Sequence, residues 1–263
     1  SMMLNFVFQT PPSLFITAMS VVTLVSLANV GYMETKGKHL RYSKFWNVNM
    51  QKSESNQIKL SSRTGLLITL TPAFLASVAS FQLFPDEGQR FLLLKSALTI
   101  HFYQEDIRGA VHKYSGKMFL GTAILSFSYF MIIATIVYSQ HLAQGFPEPL
   151  VDLSHPGILL FFIGISGNFY HHYLLSKILR GKDDKEYKIP MGGLFGLVIC
   201  PHYLFEILMF LGISLISQTL YPFFFTIGCS FYMMGRSYAA RRWYLSKFED
   251  FPKDLKSLVP YVF

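Results

Sequence analysis

Apolar residues run along this chain in seven long stretches, near residues 12–33, 64–84, 90–104, 118–139, 156–179, 193–217 and 219–235, with polar segments between them. A helix that crosses a membrane needs roughly 20 mostly apolar residues. The pattern therefore predicts an all-α membrane protein, a bundle of about seven transmembrane helices forming a single membrane domain over 1–263. The third stretch is short for a span, and the last two are tightly joined. Pro72 and Pro201 interrupt two of the stretches. Backbone groups that a proline frees inside lipid must be satisfied by protein or water. Pro201 thus marks either a non-uniform helix near a cavity or a simple kink. The first stretch is long and lacks a basic n-region, so it reads as a retained helix rather than a cleavable signal. Ser1 ahead of Met2 reads as a cleavage remnant.

The cations give the bundle a direction. The segment after stretch one carries Lys36, Lys38, Arg41, Lys44, Lys52, Lys59 and Arg63. The segment after stretch three carries Arg108, Lys113 and Lys117. Lys177, Arg180, Lys182, Lys185 and Lys188 follow stretch five, and Arg236, Arg241, Arg242, Lys247, Lys253 and Lys256 follow stretch seven. Only Arg90 and Lys95, of 23 Lys and Arg, fall elsewhere. Cytoplasmic loops are enriched in Lys and Arg, so this alternation predicts a lumenal N-terminus and a cytosolic C-terminus.

Composition agrees with a lipid environment. Hydrophobic residues make up 51% of the chain and charged residues 14%, against roughly 25% charged in soluble domains. The net charge of +8 is accounted for by the basic loops, and no nucleic-acid-binding motif accompanies it. Cys200 and Cys229 both lie in apolar stretches, which leaves no disulfide framework and no zinc spacing.

Ionisable groups within spans usually face a cavity or a partner. Four clusters qualify: Asn168 with Tyr170, His171, His172 and Tyr173; His202 with Tyr203 and Glu206; Arg236 with Tyr238, Arg241, Arg242, Trp243 and Tyr244; and His101 with Tyr103, Glu105 and Asp106. His202 and Glu206 are four apart and share a helix face. The plainer readings are an interfacial polar patch for the histidines, and for the basic–aromatic run an anchor to anionic headgroups. The histidine spacing matches no zinc pattern, so no metal is expected. Neither a Gly-rich phosphate loop nor a Gly-x-Ser-x-Gly elbow is present. A nucleotide would have to be held by Arg and Lys on its phosphates and by Tyr on its rings.

Four segments carry a resemblance. Gly167-Asn168-Phe169-Tyr170-His171-His172-Tyr173, Tyr187-Lys188-Ile189-Pro190-Met191-Gly192-Gly193-Leu194-Phe195, Cys200-Pro201-His202-Tyr203-Leu204-Phe205-Glu206 and Arg242-Trp243-Tyr244-Leu245-Ser246-Lys247-Phe248-Glu249-Asp250-Phe251-Pro252 resemble the steroid 5α-reductase family. That family includes 3-oxo-5α-steroid 4-dehydrogenases, very-long-chain enoyl-CoA reductases and polyprenol reductases. The resemblance is strong over about 150–263 and weaker over 1–150. It implies a multi-pass protein of the endoplasmic reticulum membrane in lipid metabolism. Residues 1–150 would form part of a substrate cavity, and 151–263 would bind NADPH from the cytosolic side. It further implies an oxidoreductase that reduces a carbon–carbon double bond conjugated to a carbonyl, with a hydrophobic steroid or acyl-CoA as substrate. Asn168, His172, Tyr187, Lys188, Glu206, Arg236 and Tyr244 fall where the family contacts NADPH, and Arg180 lies near another such position. Tyr203 matches the proton donor proposed in the enoyl-CoA branch, with His202 and Glu206 orienting it or the nicotinamide amide.

The sequence also departs from the steroid branch. That branch carries a Gln-Glu pair before a helix-two proline, where this chain has Thr69 and Leu70 before Thr71-Pro72. His101 is followed by Phe102 rather than Tyr, and, against relatives of the enoyl-CoA type, the segment 104–110 is about two residues short. Ala239 and Ala240 stand where histidines are frequent. The expected function is a steroid 5α-reductase-like NADPH-dependent reductase. The alternatives are a trans-2-enoyl-CoA reductase of very-long-chain fatty acid elongation, a membrane methyltransferase, or a non-catalytic member of the fold.

Overall fold

The computed structural model describes residues 4–37, 59–111, 117–119, 122–179 and 189–263. These hold a short helix α1 (Leu4–Val7) and the longer helices α2 (Leu14–Thr35), α3 (Ser62–Leu83), α4 (Gln89–Val111), α5 (Thr122–Ala143), α6 (Ser154–Leu179), α7 (Pro201–Ser217) and α8 (Leu220–Lys247). Two three-residue strands, β1 (Lys59–Ser61) and β2 (Lys117–Phe119), pair antiparallel. Among the described residues, four segments are long and apolar enough to cross a membrane: Leu14–Thr35, Thr64–Leu83, Ile124–Ala143 and Ser154–Ile178. The chain is thus a helical, multi-pass membrane protein.

Three boundaries differ from the hydropathy reading. The sixth stretch does not begin as a helix at 193. Gly192 and Gly193 take φ of +93° and +52°, the left-handed region that glycine enters without steric cost. A single 3-10 turn (Gly193–Gly196) follows, and α7 starts only at Pro201. Pro201 therefore neither kinks nor breaks a helix. It occupies the first helical position, where its missing N–H costs nothing. In contrast, α4 and α8 continue through polar residues well past the apolar stretches at 90–104 and 219–235.

The residues divide into two compact units. In the first (1–17, 39–152 and 216–221), α3 packs on both α4 and α5. One end of this unit is knotted around Gln218. Its fully buried amide donates to the carbonyls of Val7 and Val151, and its side-chain oxygen accepts from Arg90. Arg90 also donates to the Ile216 carbonyl and pairs with Glu148 at 3.0 Å. The amide of Gln9 binds the Gln218 carbonyl, and His141 meets Glu87. The two cations outside the basic loops are thus accounted for. Arg90 is consumed by this knot. Lys95 is 2% exposed, donates to the Phe84 carbonyl at 2.6 Å and lies over the Phe81 and Phe91 rings.

The second unit (18–38, 153–215 and 222–263) contains most of α2, α6, α7 and α8. Its helices meet at glycines. Gly164 and Gly157 of α6 face Phe205, Met209 and Gly212 of α7, and Gly31 of α2 faces Phe231, Tyr232 and Gly235 of α8. Small residues let backbones approach closely where apolar burial gives helices no reason to associate. The C-terminal segment folds back: Ile199 and Cys200 donate to the carbonyls of Lys256 and Ser257, and Arg241 fastens the segment through the Leu255 and Lys253 carbonyls.

Candidate active site

The polar clusters on α6 and α7 meet because the glycine seam brings those helices together. A Cβ at Gly164 would stand 2.6 Å from the Phe205 carbonyl oxygen and 2.7 Å from the Met209 Cα. Gly167, one turn further, lies against the Phe205 ring. Next along α6 come Asn168, His171 and His172, opposite the first turns of α7.

His171 is the positioning element. Its Nδ1 is 2.7 Å from the Gly167 carbonyl and its Nε2 is 3.0 Å from the Leu194 amide. An amide only donates, so Nε2 accepts and Nδ1 carries the proton to Gly167. The ring stacks on Phe205 at 5.1 Å and touches Phe195 edge-on. It therefore ties α6 to the 193–196 turn that leads into α7. A Cβ at Gly193 would be 2.5 Å from His171 Nε2, so that glycine is required by space as well as by its φ.

Asn168 is 3% exposed and donates to the His202 carbonyl at 2.9 Å. The His202 ring lies 5.0 Å from His172 and 4.4 Å from Tyr203. Arg236 of α8 sits over the Tyr203 ring at 5.9 Å and donates to the Tyr232 hydroxyl at 3.0 Å. Glu206, one turn after His202, is half-buried and lies within electrostatic range of Cys229 on α8. Tyr244 is eight residues beyond Arg236, about 12 Å at 1.5 Å per residue, and stacks with Phe248 and Phe251.

The structure thus gathers Asn168, His172, His202, Tyr203 and Arg236, carries Glu206 one turn along α7, and places Tyr244 at the far end of α8. Arg180, Tyr187 and Lys188 lie outside the described residues. Among the described residues no three His, Cys, Asp or Glu side chains converge as metal ligands would. A phenol, two imidazoles, a carboxylate and a guanidinium beside aromatic rings can exchange a proton and hold a planar polar ring. That donor chemistry suits a nicotinamide dinucleotide, whose phosphates need Arg or Lys.

In the first unit, Thr69 returns its hydroxyl to the Gly65 carbonyl and Leu70 is buried. The carboxylate beside them comes from α4: Thr71 donates to Asp106 at 3.2 Å. Glu105 pairs instead with Arg108, three residues on. Asp106 stands in one of the polar clusters of the sequence, but nothing there signals this contact, which spans 35 residues of separation. His171 was likewise visible only as one histidine of a pair.

A multi-pass helical membrane protein with a cluster of ionisable and aromatic side chains at the meeting of its C-terminal helices is the class so defined. The family described as 3-oxo-5-alpha-steroid 4-dehydrogenase matches residues 116–263, more than half of the chain. The steroid 5-alpha-reductase DET2 of Gossypium hirsutum is 38% identical over 108 residues, 41% of this chain and 42% of the relative. The human 3-oxo-5-alpha-steroid 4-dehydrogenase 2 is 35% identical over 107 residues, 41% and 42% of the two chains. The rat 3-oxo-5-alpha-steroid 4-dehydrogenase 1 is 31% identical over 175 residues, 65% of this chain and 67% of the relative. The matched stretch therefore spans less than half of the cotton and human relatives and about two thirds of the rat one. The chain belongs to the 3-oxo-5-alpha-steroid 4-dehydrogenase family.

Proposed function

We propose that this chain is an NADPH-dependent reductase of a carbon–carbon double bond conjugated to a carbonyl, acting on a 3-oxo-Δ4-steroid or a close relative in the endoplasmic reticulum membrane. The observation that carries this reading is the setting of Tyr203. Its phenol is packed by His202, lies under the Arg236 guanidinium, and is held in register by the Asn168–His202 hydrogen bond. Bound NADPH would supply a hydride to the β carbon of the enone. Tyr203 then gives its proton to the resulting enolate, and Arg236 is placed to balance the charge left on the phenol. His172 and Glu206 are the groups for the nicotinamide amide. Arg180, Tyr187 and Lys188 are assigned to the remainder of the dinucleotide, and Tyr244 to its outer end.

Seven crossings, with the N-terminus lumenal and the C-terminus cytosolic, are the topology that fits this reading. The Gln218 knot joins the segments before α2, before α4, before α6 and before α8 at one end. The β1–β2 pair joins the segments after α2 and α4, and the Val198–Lys256 pairing joins those after α6 and α8. These closures support an alternation in direction of the long helices. The distribution of Lys and Arg along the sequence supports the same direction.

A second reading, reduction of a trans-2-enoyl thioester, is favoured by Leu70 standing where the steroid branch carries a carboxylate. Asp106 weighs against it, because the Thr71 bond holds a carboxylate one residue from Leu70. On the steroid reading Asp106 is the counterpart of that missing carboxylate. The test is NADPH oxidation by purified protein with a 3-oxo-Δ4-steroid and a long trans-2-enoyl-CoA, for wild type, Tyr203→Phe and Asp106→Asn. Steroid turnover that falls at least tenfold in both variants is expected. Thioester turnover that collapses in Tyr203→Phe and survives Asp106→Asn selects the second reading. No turnover and no NADPH binding refutes both.

A further inference from the structure

An open cavity of about 670 Å³ lies between the C-terminal half of α2 and α8, and no residue of the Tyr203 cluster lines it. Such a volume falls within the roughly 300–1,000 Å³ of small-molecule sites. The two helices run parallel here: Leu24 and Leu27 lie against Gly228, Gly31 against Phe231, and the Thr35 carbonyl accepts from Arg242. Along both, the lining changes in the same order. Ala28 and Phe231 come first, then Tyr32 and Tyr238, then Lys36 and Arg242. Residues spaced by four share a helix face, so the progression is continuous down the groove. Lys36 lies over the Tyr32 ring at 5.4 Å and Arg242 over the Tyr238 ring at 5.9 Å. The cationic end coincides with the end of the apolar segment Leu14–Thr35, the depth at which lipid headgroups sit.

We propose that this groove binds one glycerophospholipid with an anionic headgroup, its phosphate against Lys36 and Arg242 and an acyl chain along the Phe231–Met234 wall. Charge complementarity carries the choice of occupant. α8 contains no Asp or Glu, the only acid of α2, Glu34, is 1% exposed and does not line the groove, and Phe263, which does line it, has its backbone oxygen engaged by the Ser257 and Leu258 amides. Capping of α2 accounts for only part of the cationic pair. Arg242 gives one N–H to Thr35 at 3.3 Å, and a guanidinium has five. Both cations remain exposed. Of the basic–aromatic run, Arg236 serves the Tyr203 cluster and Arg241 fastens the C-terminal segment. Arg242 is the member left facing the groove.

The test is native mass spectrometry of the full chain in mild detergent, titrated with phosphatidylserine and with phosphatidylcholine. One phosphatidylserine is expected to bind wild type, with a marked preference over phosphatidylcholine. Each basic residue near an anionic surface contributes about 1 kcal/mol, so Lys36→Gln with Arg242→Gln should weaken phosphatidylserine about thirtyfold and abolish the preference. Met234→Trp, which fills the apolar wall and leaves both cations, should also weaken it. Lys177→Gln with Lys247→Gln, a charge-matched pair outside the groove, should leave binding unchanged. Equal binding of the two lipids overturns the proposal. So does unchanged binding in the double variant, an equal loss in the control pair, or displacement of the lipid by millimolar inorganic phosphate.

Discussion

Gly164→Ala adds one methyl group at the tightest point between α6 and α7. The new Cβ would lie 2.6 Å from the Phe205 carbonyl oxygen and 2.7 Å from the Met209 Cα, and closer still to the Met209 nitrogen. All three are backbone atoms of a helix, so no side chain can turn aside. Carbon contacts settle near 3.5–4.0 Å, which requires the helices to part by about 1 Å. Overpacking of this kind costs about 1–3 kcal/mol. The parting falls one turn before Asn168, so the 2.9 Å bond to the His202 carbonyl should stretch and release the start of α7. A misplacement of about 1 Å can lower a rate about a hundredfold. The assay is thermal unfolding in detergent alongside kcat/KM for NADPH oxidation, with Gly196→Ala as control because nothing lies within 4 Å of its Cβ. The variant should unfold several degrees earlier and lose turnover more than NADPH affinity. Unchanged unfolding and turnover in Gly164→Ala would refute the claim that the glycine seam sets the site.

Three further outcomes follow from the same geometry. His171→Ala leaves the Leu194 amide without its acceptor, at about 1–3 kcal/mol, and should lower the unfolding temperature by several degrees. Gly193→Ala should do the same by pushing on His171 Nε2, and its cost should shrink in a His171→Ala background, which a double-mutant cycle would measure. Arg90→Lys keeps the charge but loses the fork that serves Ile216, Gln218 and Glu148 together. It should destabilise the first unit by about 1–3 kcal/mol, read as faster hydrogen exchange at Gln9 and Val151.

The helices that hydropathy bounds and those it cuts short differ for a physical reason. α2, α3, α5 and α6 are apolar along most of their length, and a window of composition suffices to find them. α4 runs to Val111 through Gln104, Glu105, Asp106 and Arg108. Those side chains carry their own partners: Glu105 meets Arg108 and Asp106 meets Thr71. Hydropathy scores such residues as if each were bare, so it ends the span early. α8 likewise continues because Arg236, Arg241 and Arg242 are engaged by Tyr203, by the C-terminal carbonyls and by Thr35 respectively.

The site was legible in part for a related reason. Residue types and their order along the chain survive in sequence, so Asn168, His202, Tyr203, Glu206 and Arg236 could be nominated. What fixes them in space is contact at long separation. The Leu194 amide reaches His171 across 23 residues and the His202 carbonyl reaches Asn168 across 34. Glycine is silent in a hydropathy profile, yet Gly164, Gly167 and Gly193 decide how near α6 comes to α7 and where His171 can stand. A side chain at any of the three would leave the nominated residues intact in sequence and out of register in space. Changes at these glycines should therefore abolish turnover as fully as changes at Tyr203. They should differ from Tyr203→Phe in lowering thermal stability too.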